Sequence, residues 1–140
     1  MNQLTKAYLY ALIFHDGQVD KAGIDYILHP MRVSSKMETE TEKIVALLHD
    51  TVEDTPATVE QIRNLFGDEV AAAVAAMTKG EEEDYKDYIA RLSRNPIAVK
   101  VKLADLEHNM SVERLPSFTE KDRERVAKYR WAHDFLSQKL

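Results

Sequence analysis

The chain has 140 residues, 44% of them hydrophobic, which suits one domain with a real core. Its 19 Lys+Arg against 24 Asp+Glu give a formal net charge of −5, so it lacks the basic face that general nucleic-acid binding requires. With no cysteine, disulfides and thiolate metal sites are excluded, and any metal must be held by His and carboxylates.

The opening residues, Met1 to Tyr8, carry no basic region followed by a long apolar run, so no signal peptide is expected. No apolar stretch reaches the ~18 residues of a spanning helix, and a cytoplasmic protein without membrane contact is the default expectation. Leu4, Tyr8 and Leu12, with Ala7 and Ala11, recur at helical spacing and predict a first helix from about Leu4 to Phe14. His15 to His29 reads as a polar connection holding Gly17 and Gly23, with a short helix after Pro30. Thr39 and Glu42 form a capping-box pattern ahead of Ile44-Val45-Ala46-Leu47-Leu48, and Thr58 and Gln61 repeat it for a helix ending at Gly67. An alanine-rich helix from Asp68 to about Met77 precedes a charged loop over 79–84, whose acids read as solvated. Asp84 to Leu92 is a further helix, and Asn95-Pro96 opens another with Val99, Leu103, Leu106 and Met110 on one stripe. Pro116 should break the chain before a terminal helix over about 119–139, with Val126, Tyr129, Leu136 and Leu140 on its inner face. The expected fold is all-α, a single-domain helical bundle covering 1–140.

Three polar clusters interrupt this apolar pattern. In the first, His49, Asp50, Glu53 and Asp54 follow directly on the apolar run ending at Leu48. Read as one continuous helix, this places the acids at its C-terminal end, where the macrodipole disfavours negative charge by ~0.3–1 kcal/mol each. Either these acids are solvated on a surface helix, or a bound metal compensates charge at the edge of the core. In the second, Lys102, Asp105 and Asn109 fall at i, i+3 and i+7; an exposed Lys102–Asp105 pair is the plainer alternative. His108 reads as a neighbour of that face or a surface residue. In the third, His29 lies between Tyr26-Ile27-Leu28 and Pro30, which would hold it rigidly. Upstream, Lys21 sits in a glycine-bearing loop and is either a phosphate contact or a solvated lysine. His133 falls on the terminal stripe and reads as a packing residue.

Taken in order, Tyr26-Ile27-Leu28-His29-Pro30, Ala46 to Thr55 with its His49-Asp50 and Glu53-Asp54 pairs, and Val101-Lys102-Leu103-Ala104-Asp105 with Asn109-Met110 resemble the HD-domain metal-dependent phosphohydrolases. Among them the chain is most similar to the hydrolase domain of the RelA/SpoT family and its small stand-alone alarmone hydrolases. His15-Asp16-Gly17-Gln18 matches the opening motif of that family, and the resemblance runs from about residue 7 to 112. It implies a divalent metal, usually Mn²⁺, held by His29, His49, Asp50 and Asp105, with Glu53 and Asp54 positioning the attacking water. It further implies Lys21 toward phosphate and Asn109 toward the sugar-phosphate region of a small nucleotide substrate, with Lys102 as a further candidate substrate-binding residue. The implied activity is removal of the 3′-diphosphate from guanosine 3′,5′-bis(diphosphate); at 140 residues no synthetase domain is expected.

The chain departs from the alarmone hydrolase pattern at Asp20, Asp25, Leu106 and Ser111, where that family commonly carries arginine, proline and two further arginines. These positions bear on nucleotide recognition and leave the metal and water residues whole. They keep open a related HD-type nucleotidase or 3′-phosphatase, and beside it a non-catalytic nucleotide-sensing domain. Oligomeric state is not set by the sequence.

Overall fold

In a computed structural model, which describes residues 1–112 and 119–140, the chain is all-α. Nine helices are found among the described residues: α1 (Gln3–Phe14), α2 (Leu28–Ser35), α3 (Glu40–Leu48), α4 (Thr51–Asp54), α5 (Val59–Phe66), α6 (Asp68–Ala76), α7 (Tyr85–Leu92), α8 (Pro96–Val112) and α9 (Glu120–Ser137). The nearest approach to extended pairing among them is an isolated bridge between Val19 and Asp25. No helix of the described residues is long and apolar enough to cross a membrane.

The helix starts follow the chemistry of their first residues. Thr39, Thr58 and Thr119 each accept a main-chain N–H three residues on, and the side chains of Glu42, Gln61 and Asp122 return the bond to the cap residue. Asn95 Oδ1 accepts from the Ala98 amide at 3.0 Å, with Pro96 supplying the first turn of α8. The turn between α5 and α6 passes through Gly67 at φ +95°, a conformation that residues with a Cβ rarely adopt.

Helix α3 is the centre of the bundle. Ile44, Val45, Ala46, Leu47 and Leu48 are all buried, because α1, α2, α6 and α8 pack around it. A helix buried on every side carries an apolar run rather than a stripe, which is what its sequence shows. Ala7 and Ala11 let α1 approach closely, whereas Leu12 of the expected stripe is exposed. Val99, Leu103 and Leu106 of α8 are buried against the same core.

Several expectations need correction. Helix α2 begins at Leu28, so His29 and Pro30 lie in its first turn instead of before it. Helix α9 ends at Ser137, and Leu140, expected on its inner stripe, is exposed. His133 is not a simple packing residue; its Nε2 lies 3.0 Å from Glu107 Oε1 on α8. The acids of the 79–84 loop are partly committed: Glu83 pairs with Arg91 at 2.9 Å, and Asp84 caps α7 through the Lys86 amide. Arg91 also donates to the Ala75 and Thr78 carbonyls, neutralising the C-terminal end of α6. Pro116 lies outside the described residues.

Leu47 is fully buried at the middle of this arrangement. Leu47→Ala is expected to lower unfolding free energy by about 2–5 kcal/mol, read from the midpoint of urea denaturation, without loss of helical signal in the folded baseline.

Candidate metal centre

Four elements meet at the mouth of the core. Helix α2 brings His29, the end of α3 brings His49, the following turn brings Asp50, and α8 brings Asp105. One ligand atom from each of these four residues lies within 4.8 Å of the others. His29 Nε2 is 2.7 Å from Asp105 Oδ1 and 3.9 Å from Asp50 Oδ2. His49 Nε2 is 3.1 Å from Asp50 Oδ2 and 3.5 Å from Asp105 Oδ1.

The backbone breaks where the chemistry requires it. The continuous helix expected through His49 and Glu53 does not form. Helix α3 stops at Leu48, Asp50 takes φ −103° and ψ −2°, and α4 starts afresh at Thr51. The Thr51 hydroxyl donates to the Leu48 carbonyl at 2.8 Å, and the His49 Nδ1–H donates to the Ala46 carbonyl at 2.5 Å. These two bonds satisfy carbonyls that the ended helix leaves open. Glu53 and Asp54 therefore belong to the turn of α4 and do not sit against the negative end of α3's dipole, as the continuous helix would have placed them.

The donor set fits a divalent cation. The bond to Ala46 fixes the His49 proton on Nδ1 and turns the Nε2 lone pair into the cluster. That Nε2 is buried and, among the described residues, makes no well-aligned hydrogen bond; its near neighbours are the Asp50 and Asp105 carboxylate oxygens, the surroundings that suit a metal ligand. Two imidazoles and two carboxylates form a charge-balanced N/O set for Mn²⁺, Fe²⁺, Co²⁺ or Zn²⁺.

The electrostatics follow from burial and proximity. Burial pulls the His49 imidazole down, but the Asp50 and Asp105 carboxylates outweigh it and hold its pKa well above the ordinary value. Burial raises Asp50, yet the neighbouring His49 carries it down to about 2. Asp105 is likewise buried and still held well below the carboxylate range, chiefly by Lys102. Lys102 Nζ lies 3.0 Å from Asp105 Oδ2 with both side chains largely buried, so the exposed pair considered from sequence is excluded. The Lys102 ammonium also lies 5.5 Å from the centre of the Tyr88 ring, whose hydroxyl donates to the Met77 carbonyl at 2.8 Å. Asn109 Nδ2 donates to Asp105 Oδ1 at 3.2 Å. The Glu53 and Asp54 carboxyls are both raised, first by burial and then by the charge of Asp50.

Several contacts carry no local sign in the sequence. Tyr26 donates its hydroxyl to Asp50 Oδ2, and burial followed by that carboxylate pushes the phenol far above its usual range. Gln18 joins two elements: its Oε1 lies 2.7 Å from His15 Nδ1, and its Nε2 donates to the Asp54 carbonyl at 3.0 Å. His108 Nδ1 lies 2.6 Å from His29 Nδ1. His15, Gln18 and Tyr26 had a signal as members of motifs and His108 as a neighbour of the Asp105 face, but none of these partnerships was readable from it.

A cavity of about 310 Å³ opens beside His29, bordered by Asp20, Asp25, Tyr26, Arg32, His108 and Asn109 among others. Asp20 is half committed, its Oδ1 accepting from the Ala22 and Ile24 amides. Lys21 is exposed, with its Nζ 3.7 Å from Asp122 Oδ1 at the start of α9. Leu106, which stands where the related family commonly carries arginine, is fully buried in the core as its stripe predicts, while Ser111 is exposed.

Comparison with known proteins agrees with this geometry. A guanosine-3′,5′-bis(diphosphate) 3′-pyrophosphohydrolase of Aquifex aeolicus is 37% identical over 139 residues, covering 90% of this chain and 20% of that protein. The bifunctional (p)ppGpp synthase/hydrolase SpoT of Escherichia coli K12 is 34% identical over 143 residues, covering 91% and 20%. A GTP pyrophosphokinase of Myxococcus xanthus is 34% identical over 143 residues, covering 89% and 18%. The chain thus spans about a fifth of the length of the curated relatives it matches. A solved structure of a metazoan ortholog of SpoT, described as hydrolysing ppGpp, superposes with a TM-score of 0.80 at 26% identity, over 97% of this chain and 86% of that one. Residues 7–96 match the HD domain itself, and with its His-Asp pair at the break after α3 the chain belongs to the HD-domain family.

Proposed function

We propose that the chain is a metal-dependent phosphohydrolase that removes the 3′-diphosphate from guanosine 3′,5′-bis(diphosphate), with residues 1–140 acting as one domain. The convergence of His29, His49, Asp50 and Asp105, with Glu53 and Asp54 on the adjoining turn, carries this reading. The similarity to the Aquifex 3′-pyrophosphohydrolase and to the metazoan SpoT ortholog that hydrolyses ppGpp supports it.

In this reading the four ligands hold one divalent ion, which we take to be Mn²⁺. When bound, it polarises a phosphoryl oxygen and acidifies water. Tyr26, Lys102 and Asn109 orient the ligand carboxylates, Tyr26 through Asp50 and the other two through Asp105. Glu53 and Asp54 orient the attacking water. Their raised pKa values suit a carboxylate oxygen to take its proton. The water oxygen bonds to phosphorus, the bond to the nucleoside 3′-oxygen breaks, and that oxygen is protonated as pyrophosphate is released. Asn109, on the cavity wall, meets the sugar-phosphate region; Lys102 from behind Asp105 and Lys21 from the exposed loop supply positive charge toward phosphate. The substrate is a small nucleotide, and a cytoplasmic setting is consistent with one.

One observation favours a second substrate. Asp20 and Asp25 border the cavity beside His29, and carboxylates there repel a highly phosphorylated nucleotide. An HD-type nucleotidase or 3′-phosphatase on a less charged nucleotide would suit such a wall. Purified, Mn²⁺-loaded protein is expected to release pyrophosphate from ppGpp in a panel that includes nucleoside monophosphates and 3′-phosphorylated cofactors. Orthophosphate release from a different member of the panel, with ppGpp untouched, would assign the second substrate; inertness toward every member would exclude catalysis.

Glu53→Gln and Asp54→Asn are each expected to lower kcat by about 10²- to 10⁴-fold while metal content, measured by elemental analysis, stays at the wild-type level. A non-catalytic sensor would show no such loss. The ion also has to displace a proton from His49, whose pKa the two carboxylates hold up. Metal titrations in buffers of different ionisation enthalpy should therefore show net proton release, and affinity that weakens as pH falls.

A further inference from the structure

The two histidines of the centre are held in different ways. His49 donates its Nδ1–H to a main-chain carbonyl, a group that can only accept, so its tautomer is fixed by the backbone. Among the described residues the corresponding Nδ1 of His29 bonds no carbonyl or carboxylate; it faces the Nδ1 of His108 at 2.6 Å. The rings are close to coplanar, with an interplanar angle of 20° and centroids 4.8 Å apart, so the contact is edge to edge through the two nitrogens. Two nitrogens at that distance share a single proton, and either ring is able to carry it. If His108 carried it, a neutral His29 would keep its own proton on Nε2, the atom that lies 2.7 Å from Asp105 Oδ1 inside the cluster. Ligation through Nε2 requires the opposite arrangement.

We propose that His108 is a positioning residue for His29: its Nδ1 lone pair accepts the His29 Nδ1–H and so keeps the His29 Nε2 lone pair turned toward the metal. This rests on the reading of the four residues as a metal centre, but not on the choice of substrate. The fold makes the arrangement economical, since Asp105 and His108 are three residues apart on α8. One turn of that helix presents a ligand to the ion and a hydrogen-bond acceptor to the ligand arriving from α2. His108 also borders the cavity beside His29, so a substrate entering there meets the residue that sets the orientation of a ligand.

Two substitutions separate this role from packing. His108→Asn puts an amide oxygen close to the place of Nδ1 and keeps an acceptor; His108→Phe keeps a flat ring and removes it. Mn²⁺ and Zn²⁺ affinities measured by calorimetry on folded variants are expected to fall about 10- to 100-fold in H108F and to stay within about threefold of wild type in H108N. Wild-type affinity in H108F, or equal losses in both, overturns the proposal. Long-range ¹H–¹⁵N spectra of the Zn²⁺-loaded wild type give an independent reading, with His29 Nδ1 expected to be protonated and His108 Nδ1 unprotonated; the reverse also overturns it. A wild-type protein that takes up neither ion would mean that the four-ligand centre itself is wrong, which is a different failure.

Discussion

Asp50 and Asp105 are carboxylates set at the edge of an apolar core, and much of the local architecture follows from the need to balance their charge. An unpaired carboxylate at such depth costs several kcal/mol, so each is surrounded by groups that favour the ionised form. Asp105 has Lys102 and Asn109 from its own helix and His29 from α2. Asp50 has the Tyr26 hydroxyl and the neighbouring His49. The result is a compact polar network resting on a dry core, which is also the arrangement that binds a hard dication.

The core makes that network rigid. Helix α3 is encased by α1, α2, α6 and α8, so its last residues cannot shift without disturbing several packed faces at once. The break after Leu48 places the His-Asp pair at the boundary between this buried helix and the short turn carrying Glu53 and Asp54. Gln18 reaches the carbonyl at the end of that turn from the loop after α1. The four clustered residues and the two acids are therefore attached to the same framework through different connections. This suits a site in which one set of groups holds an ion and the other handles water.

Most of the helices were legible in the sequence because their boundaries are written locally. Thr39, Thr58 and Asn95-Pro96 each announce a helix start through chemistry confined to four residues. The convergence of His29, His49, Asp50 and Asp105 was legible because each interrupts an apolar pattern. The break at His49-Asp50 was not, because apolar and charged residues keep a helical spacing straight through it; the Thr51 hydroxyl and the His49 ring end the helix through bonds that propensity does not register. The same holds for Tyr26 with Asp50, His29 with His108 and Arg91 with the end of α6, whose partners lie many residues apart and meet only once the bundle is packed. Leu106 was legible as core from its place on the α8 stripe, and its burial accounts for an apolar residue standing where the related family commonly carries arginine.

The Lys102–Asp105 contact has a consequence for what the fold requires of an ion. A zinc finger has no counter-ion of its own and stays unfolded until the metal arrives. Here the ammonium of Lys102 already neutralises the deepest carboxylate, and the large apolar core supplies the driving force for folding independently of any ion. The charge of Asp105 is thus balanced by the polypeptide's own lysine, and neither that balance nor the apolar core requires an ion to be in place.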